Sequence, residues 1–244
     1  MRDRLLFISS IVMLALACAS PTSPSTSTTS SSTSGSGTAP AWYAKFQSAV
    51  TVSVEGTNVV LRSNGVPDHT SPYWGVGNPL YEAPHAGMQV NPNLISTQSL
   101  VLRVPSAPQS ATPSDTPLGP MGIAINGVAL FNQYAAGRSP LANEILTFDR
   151  YNGHPQQTGQ YHYHLEPLWL TSRDGAAALI GVLLDGYPVY GPQESGGALP
   201  TGLDTCNGHT HATPEFPAGT YHYHVTTNAP YISGCFAGKP GSIG

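Results

Sequence analysis

A mostly β fold is predicted, a single loop-rich β-sandwich or irregular barrel with an internal pseudo-twofold duplication. Three observations predict it. The 244-residue chain holds 26 glycines and 23 prolines but only 9% charged residues, a composition of turns rather than helices. Short alternating or β-branched runs recur between turn signals. A long pattern of strand, turn, histidine and tyrosine also occurs twice.

The elements follow in order. Val50–Val54 and Asn58–Arg62 flank Glu55-Gly56 and read as a hairpin. Ser63–His69 is a loop and Ser99–Val104 a strand. Ser106–Pro120 is proline-rich, has no periodicity and reads as a connection. Gly122–Phe131 reads as strand, turn and strand around Asn126-Gly127; Gly181–Tyr190 repeats this around Asp185-Gly186. Helix signals are thin, with a turn at Ala41–Ala49 and a candidate at Leu141–Phe148.

The duplication continues into chemistry. Asp149-x-x-Asn-Gly-His154 precedes Tyr161-His-Tyr-His164, and Asp204-x-x-Asn-Gly-His209 precedes Tyr221-His-Tyr-His224. Six of the nine histidines thus sit in two matching cassettes. The repeat halves span about 121–168 and 180–227. Only two copies exist, so a pseudo-twofold domain is expected, not a solenoid.

On a strand, alternate side chains share a face. His162 and His164 should therefore face together, as should His222 and His224, with the tyrosines opposite. Each pair can chelate one ion, and His154 or His209 supplies a third imidazole. Asp149 and Asp204 are either fourth ligands or acceptors that fix an imidazole tautomer. Each cassette makes its own site, or the two pool their histidines. Nitrogen-rich sites suit copper or zinc, copper first in an oxidising space. His211 has no counterpart in the first cassette and is not expected to be a core ligand. His69 and His85 lie in upstream loops, where either can complete a site. Asp185 is read as support for its turn. The competing reading makes the histidines hydrogen-bonding strand residues with no ion.

The chain begins with Arg2 and Arg4, then an apolar run from Leu5 to Ala17 that is short for a membrane span. It ends at Cys18 in a pattern resembling a bacterial lipoprotein signal, with Cys18 as the lipidated residue; the alternative is a plain secretory signal. Residues 19–40 are almost all Ser, Thr, Pro, Gly and Ala and read as a disordered tether. One domain is expected over 41–244. Cys206 and Cys235 read as a disulfide in an exported chain, the alternative being thiolate ligation of a soft metal. A net charge of −4 without a basic stripe argues against nucleic acid as a partner. The expected partners are a metal ion and, through the lipid alone, a membrane.

These residues together resemble the YHYH domain family. The resemblance rests on both tetrapeptides, on Asp204–His209, Pro230–Phe236 and Asp185–Gly191, and on the upstream Ser63–His69. It covers most of the chain from about Val50 to Phe236. It implies an exported bacterial protein and gives the cassettes weight, without implying a reaction. Three functions are open: an envelope metal-binding protein, a metal-dependent redox or hydrolytic enzyme, and a non-catalytic surface module with structural histidines. No catalytic residue is assigned.

Overall fold

The computed structural model describes residues 37–244. The signal-like segment 1–18 with Cys18, and residues 19–36 of the expected tether, lie outside them. No helix among the described residues is long and apolar enough to cross a membrane.

The described chain is built of short strands. Strands β1 (Val50–Glu55) and β2 (Asn58–Ser63) form the expected hairpin, with Val52 opposite Leu61. The next strand, β3 (Leu100–Pro105), pairs with β2. It is followed by β4 (Ser110–Asp115), a strand inside the segment expected to be a proline-rich connection. Then come β5 (Gly122–Ala124), β6 (Ala129–Leu130), β7 (Tyr134–Ala135) and β8 (Ser139–Pro140). Two more, β9 (Gly153–Pro155) and β10 (Tyr161–Tyr163), precede a seven-residue helix, α1 (Leu168–Asp174). The remaining strands are β11 (Leu179–Leu183), β12 (Pro188–Tyr190), β13 (Gly208–His211), β14 (Thr220–His224), β15 (Cys235–Gly238) and β16 (Ser242–Ile243). The candidate helices are only 3-10 turns, at Ala41–Lys45 and Ile145–Thr147.

Among the described residues four sheets result and none closes into a barrel, which removes that alternative. β1, β2, β3 and β16 make one sheet, and β15–β4 and β7–β8 are isolated pairs. The largest has the order β13-β14-β12-β11-β5-β6-β10-β9. At its centre β5 and β11 are antiparallel, with Ile123 opposite Val182. Outward from that pair, each arm meets the same relations. A hairpin partner comes first, β6 or β12. A parallel neighbour follows, β10 or β14, and then an antiparallel edge strand, β9 or β13.

Asn126-Gly127 and Asp185-Gly186 build the two inner hairpin turns. Gly127 N donates to Ala124 O and Gly186 N to Leu183 O, with both glycines at positive φ, +89° and +86°. This is the three-residue hairpin in which glycine takes the left-handed position. Ile123, Ile180, Val182, Leu183 and Val189 are fully or almost fully buried and share one core with Val59, Leu61, Leu102 and Val104 of the smaller sheet. The cores of both layers are thus continuous, and the cassettes hang on the two outer ends of a rigid central sheet.

Cys206 and Cys235 form a disulfide, so thiolate ligation is excluded for this pair. The bridge ties the loop before β13 to the start of β15.

Candidate metal centres

Each Asp-x-x-Asn-Gly-His segment is a loop that turns the chain into an edge strand. Asn152 and Asn207 stand at positive φ, +66° and +71°, the left-handed region that asparagine tolerates best among residues with a side chain. Asp149 Oδ1 accepts from the backbone N–H of Tyr151 at 2.9 Å and of Gly153 at 3.3 Å. Asp204 Oδ1 does the same for Cys206 and Gly208, at 2.9 and 3.2 Å. The first tyrosine of each tetrapeptide donates its phenol to that carboxylate, Tyr161 to Asp149 at 2.7 Å and Tyr221 to Asp204 at 3.0 Å. The glycine before each histidine is needed because a Cβ at Gly153 or Gly208 would collide with the ring of Tyr161 or Tyr221.

This overturns the reading of Asp149 and Asp204 as metal ligands or imidazole partners. Their oxygens are consumed by the turn and the tyrosine, on the face of the strand away from the histidines. The second tyrosines are also structural. Tyr163 reaches Asn126 and His69, at 3.3 and 2.9 Å, and Tyr223 donates to Asp185 while accepting from Ala237 N–H. Asp185 is thereby the expected turn support. His69 lies on this tyrosine side, and His85 places its ring nitrogens on the carbonyls of Ala86 and Phe148. Neither completes a histidine cluster.

The histidines gather as the alternation predicts, and the third one arrives by strand pairing. His154 stands directly opposite His162 on β9 and β10, and His209 opposite His222 on β13 and β14. His154, His162 and His164 form one group whose potential ligand atoms lie within 4.8 Å of one another. His209, His211, His222, His224 and Glu194 form a second. The groups occupy opposite ends of the eight-stranded sheet, with five strand spacings of about 4.8 Å each between β10 and β14. The cassettes therefore do not pool their histidines.

His211 belongs to the second group, against expectation. It lies two residues after His209 on the same strand and so shares its face. Glu194 was not singled out in the sequence. It sits in the loop between β12 and β13, with Oε1 3.1 Å from His209 Nε2 and Oε2 2.8 Å from His211 Nε2. A lone glutamate before a Gly-Gly turn carries no spacing signal that points to a strand pair many residues away.

The protonation pattern is the decisive chemistry. His162 Nδ1 faces Gln160 O at 3.1 Å and His164 Nδ1 faces Asn132 O, so both carry their hydrogen on Nδ1. His154 Nδ1 faces Thr147 Oγ1 at 2.6 Å, and that hydroxyl donates to Glu144 O, so it accepts from His154. In the second group the Nδ1 atoms of His209, His211, His222 and His224 face the carbonyls of Thr201, Ala212, Thr220 and Gly191. Every Nε2 except that of His211, which faces the Glu194 carboxylate, is thus a bare lone pair when its ring is neutral. His154 and His162 Nε2 are 3.1 Å apart, and His162 and His164 Nε2 are 3.0 Å apart. The Nε2 atoms of His209, His222 and His224 are buried without a hydrogen-bond partner. Lone pairs converging in a buried space repel one another, and a cation removes that cost.

The dimensions fit an ion as well. Nitrogens 3.0–3.1 Å apart subtend about 95° at a centre about 2.05 Å from each, the usual metal–imidazole distance. That angle is close to the cis angle of a higher-coordinate ion for these two pairs, His154–His162 and His162–His164; a flat three-coordinate ion needs about 3.5 Å.

Burial holds five of the imidazoles neutral. It pulls His154 down to about 3 and, with the neighbouring His164 and His154, His162 well below the ordinary value. Burial likewise lowers His164 to about 4 and His222 to about 4, and lowers His224. His211 goes the other way. Burial pulls it down, but its hydrogen bonds to Glu194 and the Ala212 carbonyl, with the Glu194 charge, raise it overall.

The profile of the YHYH protein family matches residues 101–198 and 193–238, spanning both cassettes. The chain belongs to the YHYH family. Its naming tetrapeptide is, in this member, a strand that divides labour between its faces: tyrosines bind the turns and histidines face an ion-sized cluster. Neither a curated protein nor a solved structure matches the chain.

Proposed function

We propose that this YHYH protein binds transition-metal ions at two separate sites. His154, His162 and His164 hold one ion; His209, His211, His222, His224 and Glu194 hold the other. The observation that carries the reading is the fixed tautomer: in six histidines Nδ1 is tied to an oxygen acceptor, which leaves six Nε2 lone pairs aimed into two clusters, while His211 turns its Nε2 to Glu194. Oriented neutral imidazole is what zinc and copper ligation requires. The two close nitrogen pairs in the first cluster favour zinc(II) or copper(II) over flat three-coordinate copper(I).

The location we propose is the cell envelope of a bacterium, with Cys18 as a lipid anchor and residues 19–40 as the tether to the domain. The basic start, the apolar run and the Ser/Thr/Pro-rich stretch support it. The disulfide agrees with an oxidising compartment. We read the two arms of the large sheet as the product of an internal duplication, supported by their matching order of pairings.

Thermal unfolding of the demetallated full chain tests the function. Zinc or copper(II) should raise Tm in a saturable way, by an amount that grows with free ion over Kd. An unchanged Tm with both ions would return the histidines to a structural role.

A further inference from the structure

The two clusters are not equivalent in what they leave open. The first supplies three nitrogens and the second four nitrogens and a carboxylate. Four- to six-coordinate ions are the rule for zinc(II) and copper(II), so three donors leave at least one position free. Both clusters border space: the first a cavity of about 560 Å³, the second a recess of about 500 Å³ lined by Glu194, His209 and His211. The difference is therefore one of donor number, not of access.

We propose that the His154, His162 and His164 site is an exchange site, where a small molecule binds directly to the ion, while the five-donor site is coordinatively filled. This deepens the metal-binding reading and rests on it. The ligand enters through the cavity, whose walls combine Phe131, Tyr134 and Leu118 with Asn93, Gln156 and Glu144. That lining suits a small organic molecule with an apolar body and one donor oxygen or nitrogen. The ring of Phe131 stacks on His162, with centroids 3.9 Å apart, and forms an apolar floor beside the nitrogens. Glu144 is the acidic neighbour. Its Oε1 lies 3.5 Å from His154 Nε2, and its Oε2 is buried with no hydrogen-bond partner. Unlike Glu194, it is not within reach of the whole cluster, so it borders the open position rather than filling it.

Cobalt(II) reports this through its visible absorption, with azide as the small anionic probe. The demetallated full chain is loaded with cobalt, the cobalt is counted, and azide is then added. The inference predicts two cobalt ions, of which one responds to azide at least tenfold more tightly than the other. His222→Ala with His224→Ala should keep the responsive ion, and His162→Ala with His164→Ala should keep the inert one. The unaltered chain alone decides the matter if either variant misfolds, because one set of its visible bands should shift with azide while the other stays fixed. A single azide midpoint for both ions, or no shift at either, would overturn the inference while leaving metal binding intact. No bound cobalt would overturn the parent reading and this one together, and that is known before azide is added. Glu144→Gln should tighten azide at least threefold by removing a carboxylate beside the open position; an unchanged midpoint would remove Glu144 from the site.

Discussion

The phenol of Tyr161 donates to the carboxylate of Asp149 at 2.7 Å, deep in the protein, and Tyr221 repeats the bond to Asp204 nearer the surface. The bond welds the loop before each edge strand to the strand beside it. It explains why aspartate and tyrosine accompany histidines that they never touch.

Replacing Asp149 by alanine should therefore destabilise the metal-free protein by about 3 kcal/mol, because it strands two backbone N–H groups and a buried hydroxyl. Asp204→Ala should cost less, about 1–2 kcal/mol, since Tyr221 is partly solvated. Denaturant unfolding of both variants, without metal, gives the comparison.

Gly153→Ala should be unusually costly for so small a change. The new methyl would meet the Tyr161 ring and push it off Asp149. A loss of about 2 kcal/mol is expected, in the range for overpacking, read from the shift in denaturant midpoint.

Much of this was legible in the sequence. The hairpins at Asn126-Gly127 and Asp185-Gly186 and the shared face of each histidine pair follow from turn chemistry and strand alternation. The aspartates were misread because a carboxylate near histidines invites a metal role, while its hydrogen bonds to backbone N–H leave no trace in spacing. β4 was missed because its pairing with β15 is long-range and its sequence, with Pro113, lacks an apolar face. Glu194 was missed for the same reason: only the fold brings it to His209 and His211.

Acid should weaken the metal-free fold. Unfolded imidazoles take protons near pH 6.5, whereas burial holds His154 to about 3 and His164 and His222 to about 4. Between these values the unfolded chain binds more protons, so stability is full above about 6.5 and is lost as pH falls toward 3–4. A flat stability curve from pH 7 to 4.5 would contradict this. The three-histidine site should keep its ion well below pH 6.5, since its imidazoles resist protonation. The Glu194 site should release first, because His211 is protonated more readily.

The disulfide closes a separation of 29 residues, so Cys206→Ser with Cys235→Ser should cost about 3 kcal/mol of stability. It should also weaken metal binding at the second site alone, since Cys206 lies in the loop that leads into the strand carrying His209. Metal affinities of the two sites, measured separately in this variant, check both parts.

Elemental analysis of the full chain and two variants after loading with zinc tests directly whether the two metal sites are independent. Two ions are expected per unaltered chain. One ion is expected in His162→Ala/His164→Ala and one in His222→Ala/His224→Ala. Loss of all metal from either folded variant would mean one pooled site, and no metal in the unaltered chain would mean none.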